Sequence, residues 1–181
     1  MMTLFWTMAA RFLAQSTVTA WLIRRAKRTP YLHITGPDGC VYMERYWLFN
    51  PYPQESSGQR PWWQFPISVR LHHILRKDDD GHLHDHPWNA RTVILRGTYG
   101  EIRLVRPYRA LWDFTLCERG YERKAGNTAV LRFGEFHRIT QVSDGGVWTM
   151  FITGRKRGTW GFLVEGEKIP WREYLGMEQK P

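Results

Sequence analysis

Cysteine is nearly absent. Cys40 and Cys117 are the only two among 181 residues, and they form no C-x-x-C spacing. That excludes a disulfide framework and a cysteine zinc site, and it fits a reducing, cytoplasmic compartment. Long uninterrupted apolar runs are missing too. Residues 3 to 23 are mostly apolar, but Arg11 and Gln15 break them and no small-residue cleavage site follows, so neither a signal peptide nor a membrane span is indicated. Acidic residues are scarce relative to basic ones, 17 against 26, for a net charge of +9, which brings an anionic partner into consideration, be it nucleic acid, an acidic lipid surface or an acidic substrate. The basic clusters are Arg24, Arg25, Lys27, Arg28 and Arg155, Lys156, Arg157. No nucleic-acid-binding motif accompanies either, so solvated or partner-facing charge is favoured over nucleic-acid binding. An EF-hand spacing is lacking around Asp78, Asp79 and Asp80, which read as a solvated turn. There is no internal repeat, and the length fits one domain.

Aromatic residues are abundant at 15%, with 10 Trp, enough to build a core or an aromatic-lined cavity. Trp62, Trp63, Trp88, Trp148, Trp160 and Trp171 are assigned to core or interface in preference to carbohydrate stacking. At the N-terminus Leu4, Met8, Phe12 and Leu22 lie near one face at helical spacing, and the basic run that follows suits a helix C-terminus. We expect one helix docked on the remainder of the chain or on a protein partner, in preference to a membrane surface. Residues 1–29 form this appendage, and 30–181 the main domain.

Beyond Pro30 the pattern becomes β. Tyr31–Ile34 and Val41–Leu48 flank the turn Gly36-Pro37-Asp38-Gly39, and a Pro-rich stretch over 50–66 reads as a loop. Strand-like runs then recur at Ile67–Leu75, Arg91–Leu95, Thr98–Val105, Thr128–Phe133, Arg138–Val142, Val147–Thr153 and Thr159–Val164, separated mostly by Gly turns. Many short strands without long intervening helices indicate an all-β barrel or sandwich. Pro170–Leu175, followed by Gly176, has the start and stop of a short C-terminal helix.

Histidines concentrate in Gly81-His82-Leu83-His84-Asp85-His86-Pro87-Trp88 and in Gly134-Glu135-Phe136-His137. In a strand, residues two apart share a face, so His84 and His86 can meet one ion while Leu83 and Asp85 point away. Imidazole is the commonest metal ligand, and three leave open positions for water or substrate.

These segments resemble the two cupin motifs. His84, His86 and Gly97 match the first, H-x-H-x3-4-E-x6-G, with Ala90 in the slot where cupins carry a glutamate ligand. The stretch from Gly126 to Gln141 matches the second, G-x5-P-x-G-x2-H-x3-N, with Arg132 in the proline slot and Gln141 in the asparagine slot. Leu83–Trp88 and Val147–Gly154 also resemble small cupin proteins of bacteria and their phages, which carries a fold and no chemistry. The resemblance implies a cupin-type jelly-roll β-barrel with an N-terminal and a short C-terminal helix, and a homodimer, since cupins commonly pair. It implies a divalent transition metal on His84, His86 and His137, with His82 as an alternate ligand or a bystander.

A neutral three-histidine set favours Fe(II), Zn(II), Ni(II) or Cu(II) over Mg or Ca. It resembles the site of the thiol dioxygenases, so Fe(II) is the first choice. The expected function is an Fe(II)-dependent oxygenase acting on a small, anionic substrate held by Arg91, Arg103 or Arg132. Glu101 could ligate the metal or act as a base, and Tyr99 shares its face, so both point inward or both outward. Two alternatives stand: a non-catalytic ligand-binding or accessory cupin, and a metal-independent sugar-nucleotide epimerase or isomerase, which would need a His-Asp pair.

Overall fold

A computed structural model describes residues 2–36, 38–51, 65–105 and 116–177. Most of the Pro-rich 50–66 stretch, with Trp62 and Trp63, lies outside the described residues.

Among the described residues two helices, α1 (Met2–Leu13) and α2 (Ser16–Ala26), precede twelve strands: β1 (Pro30–Thr35), β2 (Val41–Phe49), β3 (Ser68–Ile74), β4 (Leu83–His84), β5 (Ala90–Arg96), β6 (Thr98–Val105), β7 (Cys117–Lys124), β8 (Thr128–Leu131), β9 (His137–Val142), β10 (Val147–Thr153), β11 (Gly161–Val164) and β12 (Glu167–Pro170). A short α3 (Trp171–Tyr174) closes the described chain. The strands form two six-stranded sheets, ordered β1-β2-β3-β10-β5-β8 and β12-β11-β4-β9-β6-β7, with antiparallel pairing throughout. The all-β jelly-roll expectation therefore holds.

Burial on β10 shows how the layers stack. Alternate residues of a strand face opposite sides. Trp148 and Met150 pack outward with Leu71, Val93 and Leu95 beneath Ala10, Leu22 and Ala26 of the helices. Val147 packs inward against Ile74, Ile94, Tyr99 and Ile139, and Phe151 packs inward with Leu131. A strand covered on both faces reads as a nearly continuous apolar run, as Val147–Ile152 does.

The single N-terminal helix is corrected to two, because Gln15 is extended at φ −62°, ψ 138°. Thr19 stabilises the corner by donating its hydroxyl to the Leu13 carbonyl, 2.8 Å away. Of the face expected to dock on the barrel or on a partner, only part meets the barrel. Leu22 is buried as expected, but Leu4, Met8 and Phe12 are 65%, 62% and 58% exposed, while Ala10 and Leu13 face the sheet. The hairpin between β5 and β6 turns on Gly97, at φ +83°, a conformation glycine adopts without penalty.

Candidate metal centre

The edge between β4 and β9 brings the two histidine segments together. His84 and His137 are direct cross-strand partners, one on each strand of an antiparallel pair. Such partners place their side chains on the same face. His86 follows β4 by one further alternation and lines the same cavity, whereas Leu83 and Asp85 do not. Asp85 is instead buried elsewhere, accepting from the Gly161 N–H at 2.8 Å and from Lys168 Nζ at 2.5 Å.

One ring nitrogen from each of His84, His86 and His137 lies within 4.8 Å of the other two. The Nε2 atoms of His86 and His137 are 3.0 Å apart. Two imidazole ligands at right angles on one ion, each at about 2.1 Å, would be separated by about 3.0 Å. That pair of nitrogens thus has the spacing of two ligands on one ion, with a nitrogen of His84 close by.

One carboxylate orients the ring of His137, and a second stands near His84. Glu101 Oε1 lies 3.0 Å from His137 Nδ1, and Asp78 Oδ2 lies 3.7 Å from His84 Nδ1. A proton held at Nδ1 by a carboxylate leaves the Nε2 lone pair facing the cluster, the usual arrangement behind metal-ligating histidine. Lone pairs converging at 3.0 Å repel unless a proton or a cation stands between them. Burial, helped by the neighbouring His137, lowers the pKa of His84 to about 4. Burial, with His137 and His84 adjacent, holds His86 well below its ordinary value. Both rings are therefore neutral at pH 7 and available as ligands.

Glu101 is 1% exposed. Burial opposes its ionisation, but the hydrogen bond and charge of His137, together with Arg103, outweigh that and bring it down to about 2. Arg103 Nη2 sits 2.9 Å from Oε1, and Arg123 Nε donates to Oε2 at 2.9 Å. This carboxylate stands behind His137 and outside the ligand cluster. Tyr99, on the same face of β6, is also buried and lines the cavity. His82 is exposed and pairs with the Tyr174 hydroxyl at 2.9 Å, away from the cluster.

No protein-family model matches the sequence, and a search of curated proteins finds no match. Solved structures do resemble the fold. Oxalate decarboxylase of Lactobacillus farciminis aligns with a TM-score of 0.51 at 12% identity, over 83% of this chain and 36% of that one. Vicilin of hazelnut, Corylus avellana, aligns with a TM-score of 0.52 at 10% identity, over 79% of this chain and 36% of that one. The chain has the cupin fold. It spans about a third of the length of these two proteins.

In this chain the glutamate slot of the first motif is apolar, since Ala90 is buried with Leu131 and Phe151. None of the three arginines expected to hold substrate lines the cavity of the triad. Arg91 donates to Thr128 at 3.2 Å and lies over the Trp6 ring, facing the helices. Arg103 is bound to Glu101 and to the Val130 carbonyl, and Arg132 is exposed beside Glu135.

The cavity, about 530 Å³, presents other polar groups that the sequence reading passed over. Arg70 and His72 on β3 face it from the opposite sheet. His72 and His86 flank one ring, Phe151, with centroids 5.1 and 5.7 Å from it. The Arg70 guanidinium lies 4.8 Å from the Trp88 ring centroid. Their signal was present: Ser68, Arg70, His72 and Ile74 alternate with Val69, Leu71 and His73. The solvated-turn reading of Asp78 is corrected too. It accepts from the Ile139 N–H at 2.7 Å and is hydrogen-bonded to the Tyr42 hydroxyl.

Proposed function

We propose that this cupin is an Fe(II)-dependent oxygenase acting on a small anionic substrate. The observation that carries the reading is the donor set. Three imidazoles converge, while the neighbouring carboxylate, Glu101, is committed to His137, Arg103 and Arg123. A ligand set without negative charge leaves the ion its full charge, and its open positions would supply joint binding of substrate and dioxygen.

The chain's own groups then divide the work. Glu101 fixes the tautomer and direction of His137. Arg70 and His72 offer donors to an acidic group of the substrate from the sheet across the cavity. Apolar walls from Phe151, Phe162 and Trp160 exclude water and strengthen those interactions. Tyr99 is held neutral by burial, which raises its pKa, and can donate a hydrogen bond to the bound molecule. Zn(II) or Ni(II) fits the same donors, and one of them would suit a non-catalytic cupin. The isomerase reading has its His-Asp pair in His84 and Asp78, but it gives no reason for three imidazoles to converge.

The test is oxygen uptake by protein loaded anaerobically with Fe(II), using small thiol and non-thiol carboxylates as probes. Support would be iron-dependent uptake that disappears in His86→Ala and whose KM rises at least tenfold in Arg70→Met. Absence of uptake with every probe from fully iron-loaded protein would count against catalysis and favour the binding role.

A further inference from the structure

α1 is apolar on two opposite sides, and only one of them is covered. Ala10 and Leu13 meet the sheet, whereas Leu4, Phe5, Met8 and Phe12 are each between 58% and 65% exposed. At 3.6 residues per turn these four span an arc of about 100° on the side away from Ala10. On α2, Trp21 is 55% exposed, Arg24 and Arg25 follow at three and four residues on its outer face, and Arg28 is exposed just past its end. Both helices lie on the same sheet, packed in one cluster over Leu71, Val93 and Trp148, so their outer surfaces look away from the barrel together.

Charge decides what covers this surface. The first acidic residue of the chain is Asp38, and Arg11, Arg24, Arg25, Lys27 and Arg28 all precede it. Arg11, Arg24, Arg25 and Arg28 are exposed and make no ion pair among the described residues. A second copy of the chain docking symmetrically would set this cationic surface against itself, which like charges oppose. Nucleic acid would meet the arginines but leave the Leu, Phe and Met arc without an apolar counterpart. A bilayer surface bearing acidic headgroups satisfies both requirements, with the arc at the acyl boundary, arginines among the phosphates and tryptophan at the interface.

We propose that the outer face of α1 and α2 docks the barrel on an anionic lipid surface, with α1 lying in the plane of the interface. Among the described residues no helix is long and apolar enough to cross a membrane, so the attachment proposed is peripheral. The residues expected to dock on the barrel are the exposed ones, which leaves this face for an outside surface.

Co-sedimentation of the full chain with phosphatidylglycerol–phosphatidylcholine vesicles and with pure phosphatidylcholine vesicles tests it. Binding should be confined to the anionic vesicles and weaken steeply with salt. Partitioning should fall about fivefold for each of Arg24→Gln and Arg25→Gln, and about tenfold for Phe5→Ser or Phe12→Ser. All four positions are exposed, so far-UV circular dichroism and the metal content of the variants should match wild type. The proposal is overturned if anionic vesicles are not bound. Binding that survives Phe5→Ser with Phe12→Ser overturns the insertion of α1. Dimerisation lost in those variants without vesicle binding would assign the face to a second copy, and an acidic protein as the occupant would also leave vesicles unbound.

Discussion

Glu101 is the residue on which the geometry of the centre turns. It is fully buried, faces three cationic or imidazole partners and holds the ring of His137. Glu101→Gln keeps an acceptor but removes the charge, leaving Arg103 and Arg123 facing a neutral amide. Metal affinity should fall about 10- to 100-fold, as for other outer partners of ligating histidines. Stability should drop by about 3 kcal/mol, the scale for breaking a buried ion pair. Calorimetric metal titration and urea unfolding would check both, with Glu167→Gln at an exposed position as a control that changes neither. Acid should unfold the metal-free protein early. His84 has a folded pKa of about 4 against an ordinary 6.5, so between these values the unfolded chain binds a proton that the folded chain refuses. Stability is therefore complete above pH 6.5 and declines as the pH falls toward 4. Glu101, lowered from 4.5 to about 2, adds a further loss below pH 4.5. Thermal melts of metal-free protein from pH 7 to pH 4 should show Tm falling throughout, and a flat Tm would contradict the burial of this pair.

At the scale of elements, the turn between β5 and β6 is the most constrained. A Cβ on Gly97 would lie 2.7 Å from the Gly146 carbonyl oxygen, in addition to the cost of φ +83°. Gly97→Ala should destabilise by about 2 kcal/mol or more in urea unfolding. Gly39 has a similar φ of +76° with nothing within 4 Å of its added Cβ. The excess of Gly97→Ala over Gly39→Ala therefore isolates the steric contact, and equal effects would refute it. Strand identity was legible wherever burial imposes a pattern: Thr98–Val105 and Val147–Thr153 match their strands end to end. β7 was invisible because Cys117–Lys124, charged and largely exposed at a sheet edge, has no apolar face to read. β4, two residues long, is shorter than any pattern. The N-terminal helical spacing was legible but its docked face was not, since an arc that is apolar on both sides does not say which side meets the sheet.

Across the whole molecule, the centre depends on two segments, some fifty residues apart, meeting on adjacent strands. H-x-H and the downstream histidine were legible because two-residue spacing and motif register are local properties. Asp78, Arg70 and His72 were not, because their roles come from which strands the topology places around the cavity. Metal loading should stabilise the barrel by mass action, about 2.7 kcal/mol at a free concentration one hundred times Kd, and chelation should reverse the gain in Tm. The central claim is that His84, His86 and His137 hold one ion together. Elemental analysis of protein purified without a histidine tag, beside His84→Ala, His86→Ala and His137→Ala, tests it most directly. The account predicts one divalent transition metal per wild-type chain and its loss from all three variants. Metal-free wild-type protein that fails to take up Fe(II), Zn(II) or Ni(II), or a His137→Ala variant that retains the ion, would contradict it.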